Sequence, residues 1–367
     1  MTLRVLAFTP APESGAAGRY RVFQYREPLR ALGIELEPAP FLDEDAFRRL
    51  YRPGGVAPKA WDVARRTQRL LTRLRSARRY DLVLVHRELW PLAGGWPLAL
   101  LERSRTRWVF DLDDAVFLPN VSDANKRFAG LKAHGSVTAI AAGARAVAAG
   151  NAWLATWARN QRLGRPADEV EVIPTVVDST HWTPATPDNG GTVRLLWIGS
   201  PTTLRYLEAW GPTLSRLGAR HPRLELHVIG SRLELPGLRC FSHEWSADTE
   251  RTISQRCHIG LAPLADGDWE RGKCGLKLLL YMALGLPAVA SRAGVHPEIV
   301  TPAMDGELVG DDESLEAALD RLVRDPARRA ALGRAARRTL ELRYSLKATA
   351  PRLGELLRRA ADSHQAD

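Results

Sequence analysis

The chain has 367 residues, enough for two domains of ordinary size, and 45% are hydrophobic, so it can bury real cores and is not a disordered protein. A net charge of +10, mostly from arginine, admits nucleic acid, acidic lipid or phosphorylated small molecules as partners; a GC-rich genome would produce the same surplus. Nucleic acid is disfavoured, because zinc-finger spacing, an aromatic–basic RNA signature and a recognition helix are all missing.

Three scattered cysteines (Cys240, Cys257 and Cys274) give neither a disulfide framework nor a metal-ligand cluster. No apolar run reaches the length of a membrane span, and residues 1–10 lack the cationic start and long apolar core of a secretory signal. A cytoplasmic protein is expected.

Leu3–Thr9 reads as a buried strand, Pro10–Gly18 as a small-residue loop, and Tyr20–Leu32 as a helix. That unit opens a doubly wound domain and puts the loop at the carboxyl edge of the sheet. The glycine fingerprint of dinucleotide sites is absent, which argues against an oxidoreductase. At the helix start, Gly18, Arg19 and Arg21 suggest an acceptor or phosphate contact; solvated arginines would look the same.

Ile34–Phe41 is a second strand. Residues 58–79 predict an amphipathic helix, with arginines from Arg65 to Arg79 opposite Trp61, Leu70, Leu71 and Leu74. Such a helix either rests on an anionic membrane or packs on the sheet. Asp81–His86 is a third strand. The next begins at Trp108 and carries Asp111, Asp113 and Asp114 at its end. Acids this close are costly unless solvated, protonated or paired. They are too few for a hard cation, so no metal site is expected. A helix over 123–142, a strand over 144–149, a helix over 153–161 and a strand over 171–178 follow. Residues 179–192, rich in Pro, Asn and Gly, read as a linker.

A strand over 193–199 opens a second domain. It leads through Gly199, Ser200, Thr202 and Thr203 into a helix to about Ala219. Leu224–Ile229 is a strand with an ordinary face histidine, His227, and a turn at Gly230 and Ser231. After Phe241–Trp245 a helix runs to Arg256. Cys257–Leu264 is a strand, and Asp266, Asp268 and Glu270 read as a solvated turn.

From Cys274 to Leu284 the residues are helix formers, apolar almost all round, stopped by Gly285 and Pro287. Ala288–Ser291 is a short buried strand. Lys273 and Lys277, four apart, would share a helix face at the positive end of the macrodipole. A bound anion, phosphate above all, accounts for both position and charge. The plainer alternative has Lys277 snorkelling and Lys273 in a loop. Helices at 312–323, 326–342 and 346–362 close the chain.

The run Gly272-Lys273-Cys274-Gly275 through Lys277, Tyr281-Met282-Ala283, Gly285, Pro287, Gly294-Val295 and Glu298-Ile299-Val300 resembles the donor-binding motif of glycosyltransferase family 4, of the GT-B fold and the group 1 type. The resemblance is close in the second half and loose in the first. It implies an α/β protein with two Rossmann-like, doubly wound domains facing each other across a cleft. Residues 1–185 would be the acceptor-side domain, 186–192 the linker, 193–345 the donor domain, and 346–367 a helix crossing back.

It further implies retaining, metal-independent transfer from a UDP- or GDP-sugar to a glycan or lipid-linked acceptor in bacterial surface polysaccharide synthesis, with no cofactor and no nucleic acid. A place at the inner face of the plasma membrane is compatible with this. Donor contacts would come from Gly199, Ser200, Thr202, Thr203, Gly230, Ser231, Lys273, Gly275, Lys277, Gly294 and Val295. His86, Asp113, Asp114 and Glu298 would serve the reaction, with Asp113 standing where the family often has histidine. Two family glutamates are replaced by Gly272 and Leu280; the second normally holds the ribose, so Leu280 is expected to face the ligand rather than the core. Those losses favour a non-catalytic sugar-nucleotide or glycan binder as the alternative.

Overall fold

The computed structural model describes residues 2–50, 56–90, 94–118, 134–162, 164, 166, 169–186 and 190–362, apart from the side chains of residues 50, 56–62 and 134. Trp61 and the 123–133 part of the expected helix lie outside that description.

The elements run β1 (Leu3–Thr9), α1 (Ala16–Arg21), α2 (Arg26–Ala31), β2 (Ile34–Pro40), α3 (Glu44–Leu50), α4 (Val56–Ser76), β3 (Leu82–His86), α5 (Trp96–Arg103), β4 (Trp108–Leu112), α6 (His134–Gly143), β5 (Ala146–Ala149), α7 (Ala152–Asn160) and β6 (Val170–Val172). After these come β7 (Val193–Ile198), α8 (Pro201–Ala209), α9 (Gly211–Arg220), β8 (Leu224–Ile229), β9 (Arg239–His243), α10 (Ala247–Ser254), β10 (Ile259–Ala262), α11 (Asp268–Arg271), α12 (Leu276–Ala283), β11 (Ala288–Ser291), α13 (His296–Ile299), β12 (Glu307–Val309), α14 (Asp312–Arg324), α15 (Pro326–Arg343) and α16 (Leu346–Asp362).

The chain divides into two compact units. One comprises the residues up to Val176, Gly272–Cys274, and the residues from Leu346 on; the other is Val177–Arg271 with Gly275–Ser345. The division falls earlier than the 186–192 stretch expected from composition, because the Val177 N–H already bonds the Tyr344 carbonyl at 3.1 Å within the second unit.

In the first unit the strands form a parallel sheet of order β2-β1-β3-β4-β5-β6, with Val5 opposite both Leu36 and Leu82. Alternation of period two sends Leu6, Phe8, Val83 and Val85 to one face, against Leu70, Leu101, Ile140 and Leu154. Val5, Ala7, Leu82 and Leu84 go to the other, against Leu29, Leu353 and Leu357. A parallel sheet covered on both faces reads as continuous apolar runs for this reason. Helix α16 is therefore part of the first unit's core. Arg352 Nη2 fastens it to the Val172 carbonyl at 2.7 Å.

The second unit has a parallel sheet of order β12-β11-β10-β7-β8-β9. Tyr281 braces it from beneath. Its hydroxyl donates to the Leu261 carbonyl at 3.1 Å and accepts from the Ile198 N–H at 3.3 Å, and Gly260 leaves room for its ring.

Several expected boundaries change, each for a local reason. The helix expected over 20–32 is α1, a 3-10 turn at Phe23–Tyr25 and α2, since Pro28 has no N–H for a continuous ladder. Pro212 likewise divides the 201–219 helix at Trp210. The 171–178 strand stops at Val172, two residues before Pro174. Strand β9 was not expected, because most of its residues are exposed and give no clear alternation.

Candidate functional site

Each unit carries a cluster at the carboxyl ends of its central strands, where doubly wound sheets bind ligands. In the first unit, β3 ends in His86 and Arg87 and β4 in Asp111, then Asp113 and Asp114. His86 is fully buried, with Nδ1 3.0 Å from Thr9 Oγ1 and Nε2 3.1 Å from Asp113 Oδ1. Arg87, in a left-handed conformation (φ +65°), turns back so that Nε and Nη2 donate to Asp113 at 2.6 and 3.1 Å. Burial pushes the Asp113 carboxyl up, but Arg87 and His86 together hold it well below the usual range. Asp114 Oδ1 accepts from the Ala115 N–H at 3.1 Å and lies 3.8 Å from Lys273 Nζ.

Asn151 anchors the Lys273 segment. Its Oδ1 caps α7 through the Leu154 N–H at 2.8 Å, and its Nδ2 donates to the Lys273 carbonyl at 3.0 Å. Cys274 Sγ donates to the Asp113 carbonyl at 3.2 Å, in space that only Gly150 leaves open. Burial raises the Cys274 thiol, which is therefore packing and not a nucleophile.

In the second unit the cluster forms around the start of α12. Gly275, left-handed at φ +69°, delivers the chain into the helix, whose first N–H groups have no intrahelical acceptor. The Lys277 ammonium lies 5.4 Å from the centroid of the buried Trp197 ring, a cation–π arrangement. At Gly199 a Cβ would meet that ring at 2.5 Å. Ser200 precedes α8 without capping it by its side chain, and its hydroxyl lies 2.8 Å from that of Thr202; Thr203 Oγ1 donates to the Ser200 carbonyl at 3.0 Å. Gly230 (φ +85°) packs on the Gly199 carbonyl, beside the half-buried Ser231.

Gly294 (φ +52°) and the buried Val295 lead into α13. There His296 Nδ1 donates to the Ser291 carbonyl at 3.0 Å. Burial and the nearby Lys277 charge bring His296 down to about 4, against the pull of that hydrogen bond. It is neutral at pH 7. Glu298 is exposed on the same short helix.

Five expectations need correction. Arg21 is neither a solvated residue nor an acceptor contact: it is buried and forked onto Asp111. Gly18 is a packing glycine, since a Cβ would meet the Pro12 carbonyl oxygen at 2.8 Å; Arg19 lies over the Tyr20 ring. Lys273 and Lys277 do not share a helix face, because α12 starts only at Leu276. Glu270 is no solvated turn residue, being buried and bonded to the Tyr206 hydroxyl. Leu280 is 3% exposed, so it belongs to the packed face of α12. Arg87, Asn151, Trp197 and His296 were missed as site residues. Of these only Arg87, at a strand end beside His86, had a legible signal.

Residues 194–325 match the family described as glycosyl transferases group 1. That match falls in the second unit, apart from Gly272–Cys274. Among solved structures, Anabaena HepE in complex with UDP and glucose superimposes on this chain with a TM-score of 0.66, at 16% identity, covering 97% of this chain and 99% of that one. Sucrose-phosphate synthase from Thermosynechococcus elongatus gives 0.67 at 16% identity, covering 97% and 98%. The fold is thus GT-B, two Rossmann-like domains. A curated relative, the GDP-mannose-dependent monoacylated alpha-(1-6)-phosphatidylinositol monomannoside mannosyltransferase of Corynebacterium glutamicum, is 27% identical over 212 residues. That match covers 51% of this chain and about half, 55%, of the relative.

Proposed function

We propose that this protein transfers a glycosyl group from a nucleotide-sugar donor to a glycan or lipid-linked acceptor. The observation that carries the reading is Lys277 at the open start of α12. There an ammonium over Trp197 and backbone N–H groups with no intrahelical acceptor suit a diphosphate. As the glycosidic bond breaks, negative charge grows on the diphosphate, and fixed positive groups stabilise it most in the transition state. The Gly199–Thr203 loop, Gly230, Ser231 and the Gly294–Val295 turn would complete the donor contacts.

The relative's donor is GDP-mannose and HepE was solved with UDP, so both nucleotides are candidates. Lys273 is assigned with Lys277 to the donor, and His86, Asp113, Asp114 and Glu298 are the groups we assign to the reaction itself. Retention of configuration, a role in surface polysaccharide synthesis and a cytoplasmic location are part of the proposal. So are the absence of a cofactor and metal independence. The strand-end acids a cation would need are already committed, Asp111 to Arg21 and Asp113 to Arg87.

A binding protein on the same fold is the second reading, favoured by Gly272 and Leu280. A Cβ at Gly272 would stand 2.7 Å from the Ala115 nitrogen, and Leu280 is packed, so neither position has room for the family's carboxylate. The test is a panel of UDP- and GDP-sugars, screened by thermal shift and then by nucleotide release with and without chelator. Donor-dependent stabilisation with release supports transfer. Stabilisation without release, whatever the acceptor extract, supports the binder. Activity abolished by chelator and restored by magnesium would overturn metal independence.

A further inference from the structure

Between the carboxyl ends of β1 and β2 and the inner side of α4, the first unit has a cavity of about 460 Å³. That size is within the range of small-molecule sites. Its lining divides by chemistry. Phe8, Leu70 and Phe41 supply apolar surface, and Phe8 and Leu70 are buried. Arg66, Arg69 and Arg73 supply positive charge. The arginines recur at three- and four-residue intervals and so share one side of α4.

The charges are unevenly balanced. Asp43 Oδ1 lies 3.2 Å from Arg66 Nη2, while its Oδ2 lies 3.0 Å from Arg69 Nη1 and 3.6 Å from Arg65 Nη2. Three guanidinium groups therefore converge on a single carboxylate. Arg73 bonds Glu37 at 2.6 Å. The Arg66 side chain is 1% exposed, whereas Arg69 and Arg73 are about half exposed at the mouth (58% and 46%). Arg69, at the mouth, shares its carboxylate with two other guanidinium groups, so its positive charge is only partly offset. An anion entering the cavity would offset the rest, and arginine forks match phosphate oxygens. A bare inorganic ion would leave the aromatic and proline walls unused.

We propose that this cavity binds a phosphate joined to an apolar chain, with Arg69 and Arg73 on the phosphate and Phe8, Phe41 and Leu70 against the chain. Naming that ligand as the acceptor rests on the transferase reading above; its binding does not. Two sources share the chemistry, a phospholipid-type headgroup in a bilayer and a soluble alkyl phosphate.

The experiment is calorimetry on the full chain with octyl phosphate, inorganic phosphate and octanol, and no sugar nucleotide present. Octyl phosphate is expected to bind at least about tenfold more tightly than either of the others. Arg69→Gln and Arg73→Gln are each expected to weaken it about tenfold or more. Arg75→Gln, an exposed arginine on the same helix outside the cavity lining, should leave binding unchanged.

Flotation with phosphatidylcholine vesicles, with and without a lipid monophosphate, separates the sources. Recruitment lost in Arg69→Gln identifies a bilayer headgroup; octyl phosphate binding without recruitment identifies a soluble carrier. Equal affinity for inorganic and octyl phosphate, no binding of octyl phosphate, or binding unaffected by both arginine substitutions overturns the proposal. Sugar-nucleotide turnover without octyl phosphate binding removes the cavity alone, and the converse removes the transferase reading alone.

Discussion

Arg21 and Asp111 form an enclosed ion pair in the first unit. The guanidinium donates through Nε, at 3.0 Å, and Nη2 to the two oxygens of one carboxylate, and through Nη1 to the Ile173 carbonyl at 2.8 Å. Breaking such a pair strands a buried charge, typically at 3–5 kcal/mol or so, whereas replacing both partners by apolar groups costs far less. Arg21→Met should therefore lower unfolding stability by about 3–5 kcal/mol, and adding Asp111→Leu should recover part of the loss. Denaturant titration of the two variants checks this. A strictly additive double variant would mean that the two residues act separately.

His296 should impose a pH dependence on stability. Its folded value of about 4 lies below the unfolded value of about 6.5, so the unfolded chain takes up the proton first. The contribution is complete above about pH 6.5 and is lost as pH falls towards 4, by about 3 kcal/mol in all. His296→Gln should flatten the stability curve across that window. A slope between pH 6.5 and 4 identical to wild type would exclude this origin.

Lys277→Ala should weaken donor binding by on the order of tenfold to a hundredfold, the usual range for a lost charge-assisted contact to phosphate. The expected melting temperature without donor is close to wild type, because the side chain is only partly buried. Unchanged calorimetric affinity with a donor that wild type accepts would move the anion site elsewhere.

Leu280→Gln is expected to destabilise by about 1–3 kcal/mol, since a polar amide would enter a site that is 3% exposed. Full retention of the melting temperature would show that the position faces a ligand after all.

Gly272→Glu, which restores the acid found at this place in family 4, should destabilise the protein without raising turnover. The obstacle is Ala115, whose nitrogen would lie 2.7 Å from the new Cβ. Faster nucleotide release by this variant would contradict it.

The layers of the fold were legible because parallel strands covered on both faces leave apolar runs that need no partner to recognise. Leu224–Ile229 read correctly to the residue, and the strand expected over 193–199 overran β7 only by its final glycine. Strand β9 did not, since it is an edge strand with three of its five residues exposed. Of the candidate site, residues marked by unusual local chemistry could be found, such as a lysine in a leucine run or acids crowded at a strand end. What those residues pair with could not. The partners of Asp111 and of Lys273's anchor lie 90 and 122 positions away, and no local pattern encodes a contact at that range. Arg21 was misread for that reason: the same arginine looks identical in sequence whether it meets water or a distant aspartate.

Helix α16 gives the first unit an unusual order of manufacture. One face of its sheet is closed by Leu353, Leu356 and Leu357, yet these emerge only after Val177–Ser345 has been translated. At ordinary elongation rates the delay is roughly ten to thirty seconds. Throughout that interval the nascent first unit should display an apolar sheet face, while the second unit is still emerging from the ribosome. A chaperone that shields such a face, or a protease that reads it, therefore has its opportunity before the final helix leaves the exit tunnel.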